Sequence, residues 1–310
     1  MNRKLILLGS ALAFLASCQN NNTPSNNNSE ESEPETTAVW PKVDQDGNYV
    51  RQENDPMFLV SDPFRKQFIH PTDQNDTISN TNEYTKFLWK DFVLKIASGE
   101  FFCGPDAGMY VPEKFESMRG PLFVPIDQEE TIKLSKQLNT QWFDLVPVAF
   151  TEKAMANRQV LSFADKKSWN DIRRMDDSIQ IKLVEKYEMA IEHTEWLANI
   201  NNNTINLYQV QFKPKDNQVT ATIVAVKEDG SFLTHDEKTK LEEDGKIIWN
   251  VDDEDNIKNA PSIACVLESE GNAIEIYYIE RAPESLSTGV YVLRANSLNK
   301  VCMNDWYVKQ

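Results

Sequence analysis

From Ile205 onward the sequence alternates apolar and polar residues, and this constrains the fold more than any other feature of the chain. The stretches 219–227, 246–251, 262–269, 273–281, 289–294 and 301–308 all carry the pattern. A strand turns successive side chains to opposite faces, so a period of two marks a strand with one face in a core. Glu270-Gly271-Asn272 supplies a hairpin link between two of these stretches, and 296–300 joins the last two. Strands joined by such short links pair antiparallel.

Upstream the spacing reads as helical. Tyr84, Phe87, Leu88, Phe92 and Ile96 predict a helix over 82–98, stopped at Gly99. Asp127 with Glu130 forms a capping box before Ile132, Leu134 and Leu138. Trp169, Ile172, Met175, Ile179, Leu183, Tyr187, Ala190, Ile191, Thr194 and Leu197 trace one face over 168–199, with Asp176-Asp177-Ser178 able to interrupt and recap it. A strand is expected within 142–150. Residues 39–82, with Pro41, Pro56, Pro63 and Pro71, read as irregular structure with one or two short strands. The expected class is α+β, with helices in the N-terminal half packed on a C-terminal antiparallel sheet. The expected regions are 39–204, mainly helical and irregular, and 205–310, antiparallel β. A helical layer on a curved sheet is similar in outline to cystatin-like and NTF2-like domains.

The amino terminus adds an address. Arg3 and Lys4 precede an apolar run over 5–15, too short to span a bilayer as a helix, which takes about 20 residues. The run leads into Leu15-Ala16-Ser17-Cys18, which resembles the lipobox of bacterial lipoproteins. The resemblance implies removal of residues 1–17 as a signal peptide, with a diacylglyceryl group on the Cys18 thiol and acylation of its freed amine. Two or three acyl chains, at ~0.8 kcal/mol per buried CH₂, give permanent anchoring where one chain binds only marginally. Residue 19 is Gln and not Asp. By the sorting rule of some Gram-negative lipoproteins this favours the outer membrane. Residues 18–38 are expected to form a lipidated, disordered tether, because 19–37 contains no aliphatic or aromatic side chain.

Charge narrows the partners. The chain carries 48 acidic and 32 basic residues, a net charge of −16, and −18 once the signal peptide is removed. Such a surface repels phosphate backbones, so nucleic acid is not an expected partner. The three histidines are scattered, and neither a phosphate-binding loop, nor a dinucleotide fingerprint, nor a nucleophile elbow occurs. No cofactor and no metal site is expected.

Few residues offer chemistry. Cys103 lies in Phe101-Phe102-Cys103-Gly104-Pro105, after a predicted helix and not at the start of one, which suits a packed thiol better than an activated one. Cys265 and Cys302 fall in predicted strands and are either a disulfide or two core residues. Asp252-Asp253-Glu254-Asp255 lacks the glycine and distal glutamate of a calcium loop and reads as a solvated turn. Trp40, Trp142, Trp249 and Trp306 lie outside predicted helices, where they either pack or offer rings for stacking. Asp76-Thr77-Ile78 and Asp177-Ser178-Ile179 resemble an O-glycosylation signal of one branch of Gram-negative envelopes, implying Thr77 and Ser178 as acceptors.

The expected function is a non-enzymatic, outer-membrane-anchored lipoprotein held by acylated Cys18, binding an envelope protein or glycan. Two alternatives stand beside it. One is an envelope hydrolase acting on glycan or peptide through carboxylates or Cys103. The other is an inhibitor or immunity-type lipoprotein that presents an acidic face to a basic partner.

Overall fold

A computed structural model describes residues 40–309 apart from 63–65, 73–77, 105–109, 113–114, 128, 133–145, 166–172, 203, 243–244, 248, 250–256 and 283–284. The expected signal peptide and tether, Thr77, Trp142 and the acidic run at 252–255 therefore lie outside the described residues, and 40–310 forms one compact unit.

This body is built of strands. In chain order they are β1 Met57–Phe58, β2 Val60–Ser61, β3 Phe68–Ile69, β4 Tyr84–Trp89, β5 Phe92–Cys103, β6 Tyr110–Pro112, β7 Arg119–Pro125, β8 Val148–Thr151, β9 Gln159–Val160 and β10 Phe163–Asp165. There follow β11 Ile191–Ile200, β12 Ile205–Phe212, β13 Gln218–Lys227, β14 Phe232–Lys240, β15 Ser262–Ser269, β16 Ala273–Ala282, β17 Ser285–Leu293 and β18 Leu298–Lys309. They form a seven-stranded sheet β1-β8-β4-β5-β7-β3-β2, a five-stranded sheet β10-β11-β12-β13-β14 and a six-stranded sheet β6-β18-β17-β16-β15-β9. Of the pairings described, all are antiparallel except β6 with β18.

The expectation of an α+β fold with an N-terminal helical layer is corrected by this arrangement. Residues 82–98 form the β4–β5 hairpin, with Trp89 opposite Phe92 and Lys90 at φ 57° in the turn. Phe87, Leu88 and Trp89 are consecutively buried, and such a run mimics helical spacing when both faces of a strand are covered. Gly99 does not stop a helix; it lies where the β5–β7 register slips by one residue between Ser98 and Phe101. The helix expected over 168–199 splits. Asp177–Tyr187 is helical and ends at Glu188, a non-glycine residue in the left-handed region at φ 52°, before β11 begins. Asp176 caps it by accepting the Ser178 amide at 2.7 Å, so the recapping at 176–178 is seen and the segment beyond 190 is strand. At Asp127 the cap is also formed, since its side chain accepts the amides of Glu129 and Glu130. Among the C-terminal strands, β13, β15 and β16 match the expected stretches to within a residue and β17 and β18 match in part, whereas β12 and β14 were not among them; of the described residues in 246–251, Ile247 forms an isolated bridge to Leu241.

The sheets stack in layers, with the six-stranded sheet in the middle. One of its faces packs Cys265, Tyr277, Val290 and Val292 against Phe58, Phe87, Phe150 and Trp89 of the seven-stranded sheet. Its other face packs Val266, Ile276, Tyr278 and Tyr291 against Leu207, Ile223 and Ala225 of the five-stranded sheet. The alternation 276/277/278 and 290/291/292 divides the residues between the two cores. A register shift between Ile263 and Cys265 places Ala264 and Cys265 in the same core. The far face of the five-stranded sheet packs Trp196, Tyr208, Val210 and Phe212 against Met175, Ile179 and Leu183, the last two on the helix. The helix thus covers an outer face, and the cystatin-like outline does not apply.

The chain enters this body through a locked segment. Buried Asp55 accepts from the Trp40 indole (2.8 Å), the Tyr49 hydroxyl (2.6 Å) and the Gln52 amide (2.7 Å). Trp40 lies 6.0 Å from the Tyr277 ring, with the Arg158 guanidinium over its face at 5.1 Å.

His70 is buried where the seven-stranded and central sheets meet, its Nδ1 2.7 Å from the Phe58 carbonyl and its ring 5.9 Å from Trp306. Burial and the nearby Arg51 charge push its pKa down to about 3. The unfolded chain takes up this proton near 6.5 and the folded chain does not, so the contribution is intact above pH 6.5 and is lost as pH falls from there toward 3. Unfolding free energy is expected to fall by up to ~1.4 kcal/mol per pH unit through this window. Denaturant titrations between pH 7 and 4 should show this slope in wild type and not in His70→Gln, so that the difference curve carries it. Identical slopes in the two proteins would refute it.

Candidate functional site

Two places gather functional side chains. The first lies between the five-stranded and central sheets. Odd-numbered residues of β14 and even-numbered residues of β16 face this space, which brings Glu237 and Glu280 inward; Lys300 enters from β18, and Lys258 from the segment that follows β14. The Lys300 ammonium lies 2.5 Å from Glu237 and 2.8 Å from Glu280. The Lys258 ammonium lies 3.0 Å from Glu237 and 3.8 Å from Glu280. Lys258 is also held through its backbone: its carbonyl accepts from Gln209 and its amide donates to the Gln211 side chain. Trp249 and the Tyr278 and Tyr291 rings flank the ammonium groups, and His235 lies 6.2 Å from the Tyr291 ring.

Two members of this quartet, Glu237 and Lys300, are shifted toward their charged forms. Burial alone would raise the Glu237 pKa, but Lys258 and Lys300 overcome it and hold the carboxyl down at about 2. Burial would likewise lower the Lys300 pKa, but Glu280 and Glu237 overcome it and raise it. Burial lowers the His235 pKa. A general acid or base works best with a pKa near the operating pH, and neither Glu237 nor Lys300 is tuned there. The quartet is two positive and two negative charges compensating one another inside the fold.

The second place is a cleft of about 500 Å³ at the end of the stack where four chain reversals meet: after β11, β13, β15 and β17. Ile205, Ile274 and Leu293 line its apolar wall, and Thr204, Asn272, Lys227 and Arg294 edge it. Lys227 donates to the Ala295 carbonyl at 2.9 Å, and Arg294 donates to the Trp40 carbonyl at 3.1 Å. The volume is in the range of small-ligand sites, roughly 300–1,000 Å³.

The residues singled out in the sequence do not converge on either place. Cys103 ends β5 and is exposed, so the expected packed thiol is corrected: strand pairing to Arg119 leaves it at the sheet end, not under a helix. Cys265 and Cys302 are free, and the disulfide reading is also corrected. They sit on β15 and β18 with two strands between them, about 14 Å at ~4.8 Å per spacing, whereas a disulfide needs Cα atoms within about 7 Å. Ser178 is exposed in the first turn of the helix. Trp40 and Trp306 pack against the core between the seven-stranded and central sheets, and Trp249 lies beside Lys258. Among the described residues there is no group of three potential metal ligands and no helix long and apolar enough to cross a membrane.

Sequence reasoning missed the quartet because its members come from four separate segments. A signal was present nonetheless: Glu280 shares the parity of Ile276 and Tyr278, which marks it as inward-facing. Comparison with family models, with curated proteins and with solved structures returns no match.

Proposed function

We propose that the protein is a lipid-anchored lipoprotein of the bacterial envelope, held in the outer membrane through Cys18, whose β body works by binding and not by catalysis. The observation that carries this reading is the order of basic start, apolar run and Leu15-Ala16-Ser17-Cys18. It is supported by the character of the charged cluster between the five-stranded and central sheets, whose carboxylates and ammonium groups are spent on one another. The cleft edged by Lys227 and Arg294 is the place where such a body would take a partner.

The test is the anchor. Cys18→Ala is expected to abolish incorporation of radiolabelled palmitate. The variant should either leave the membrane fraction or keep its leader. Equal labelling of wild type and variant would overturn the reading, because acyl-chain burial is the source of the attachment.

A further inference from the structure

Resting on that reading, we infer that the cleft edged by Lys227 and Arg294 binds an ethanolamine phospholipid of the membrane that carries the anchor. Its phosphate would sit on the two cations, its ammonium toward Glu228 and Asp229, and its first acyl carbons against Ile205, Ile274 and Leu293.

Four observations converge on this ligand. The first is the pair of cations. Neither Lys227 nor Arg294 is in an ion pair among the described residues, although acids outnumber bases 48 to 32. Each uses one donor on a backbone carbonyl, which fixes the side chain and leaves further N–H groups for an anion. Charge-assisted bonds to phosphate are among the strong ones, and Arg binds it bidentately.

The second is the order of charge. Lys227 and Arg294 are half-buried, while Glu228 and Asp229 are exposed on the same lining. The cations are thus the less exposed members of the lining and the carboxylates the more exposed ones. A phosphate followed by a primary ammonium matches that order; a glycerol headgroup offers the outer carboxylates hydroxyl donors but no positive charge, and a choline headgroup has no N–H to donate. The third is the wall. It is mostly apolar, which a free phosphate or a sugar would leave uncovered but the proximal part of an acyl chain would cover.

The fourth is position. The Arg294 guanidinium holds the carbonyl of Trp40, the residue at which the chain enters the body. The cleft therefore opens beside the point to which residues 18–39 lead. Even fully extended, that stretch spans at most ~75 Å, so headgroups are supplied at high effective concentration and a weak site is enough.

The test uses the full-length protein purified from envelopes and reconstituted into phosphatidylcholine vesicles. The vesicles carry a minor fraction of phosphatidylethanolamine bearing a photoreactive diazirine on its acyl chain near the glycerol. Matched vesicles carry the same probe on phosphatidylglycerol or phosphatidylcholine. Peptide mass spectrometry is expected to place the ethanolamine-lipid adducts at 204–205, 272–274 and 293–295. Lys227→Glu/Arg294→Glu should reduce them about tenfold, equivalent to ~1.4 kcal/mol. Lys227→Gln, the milder variant, should show a smaller loss with unchanged circular dichroism. Adducts scattered over the surface, or equal in the double variant, would overturn the inference. So would equal labelling by the glycerol probe. A soluble peptide ending in leucine that displaces the lipid would reassign the cleft to a protein ligand. The mass of the amino-terminal peptide in the same sample reads the acyl groups on Cys18. Acylation without cleft adducts sinks this inference alone, whereas absence of acylation sinks the lipoprotein reading and this inference with it.

Discussion

Glu280→Gln is expected to lower the unfolding free energy by about 3–5 kcal/mol at neutral pH, the range for breaking a buried charge pair from one side. The substitution preserves shape and an acceptor oxygen, so packing changes little. It leaves the ammonium groups of Lys258 and Lys300 sharing a single carboxylate, Glu237. Lys258 is 5% and Glu280 9% exposed, which is too little for water to replace the lost partner. Removing a charge of each sign should be gentler. Glu280→Gln combined with Lys300→Met leaves the neutral Lys258–Glu237 pair, and it is expected to recover most of the loss, because desolvation of a second ion pair no longer has to be offset. Urea titrations of wild type, single and double variants provide the measurement. A single-variant loss under about 1 kcal/mol, or a double variant no better than the single, would contradict the quartet as a compensated unit.

Gly289→Ala is expected to cost at least about 3 kcal/mol, or to prevent folding, through overpacking in the central sheet. Gly289 sits in β17 between Tyr278 of β16 and Cys302 of β18. A Cβ there would fall 2.1 Å from the Val301 carbonyl oxygen and 2.7 Å from the Tyr278 hydroxyl. The first obstacle is backbone within the sheet, and the second is the tip of a buried ring. Neither can withdraw without disturbing the register that brings Lys300 to the glutamates. Gly271→Ala is the matched control. Nothing lies within 4 Å of that position, and only a φ of 75° resists the substitution. It should cost about 1–2 kcal/mol, the ordinary expense of a left-handed residue with a side chain. Equal melting temperatures for the two variants would show that the Gly289 contact is relieved more cheaply than its geometry indicates.

The residue pattern by itself placed the strands β13, β15 and β16; in β13 and β16 the two parities face different sides, whereas in β15 the register shift puts Ala264 and Cys265 in the same core. Local caps were equally legible: Asp127 and Asp176 satisfy amides two or three residues away, and such chemistry needs no tertiary partner. Strand against helix at 84–96 was decided only by the tertiary structure. Phe87, Leu88 and Trp89 are all buried because sheet neighbours and a facing sheet cover both sides of β4, and one-dimensional spacing cannot distinguish that from a helix face. The same holds for β11, where Trp196 and Leu197 point into two different cores. Neither place that gathers functional groups could be read from sequence. Glu237, Lys258, Glu280 and Lys300 meet only when the five-stranded sheet lies on the central one, and Lys227 and Arg294 meet only when the ends of those sheets are brought level. Charge pairing and cleft formation depend on distances in space between segments far apart in the chain, whereas the proposed lipobox is a local pattern written in four consecutive residues, Leu15 to Cys18.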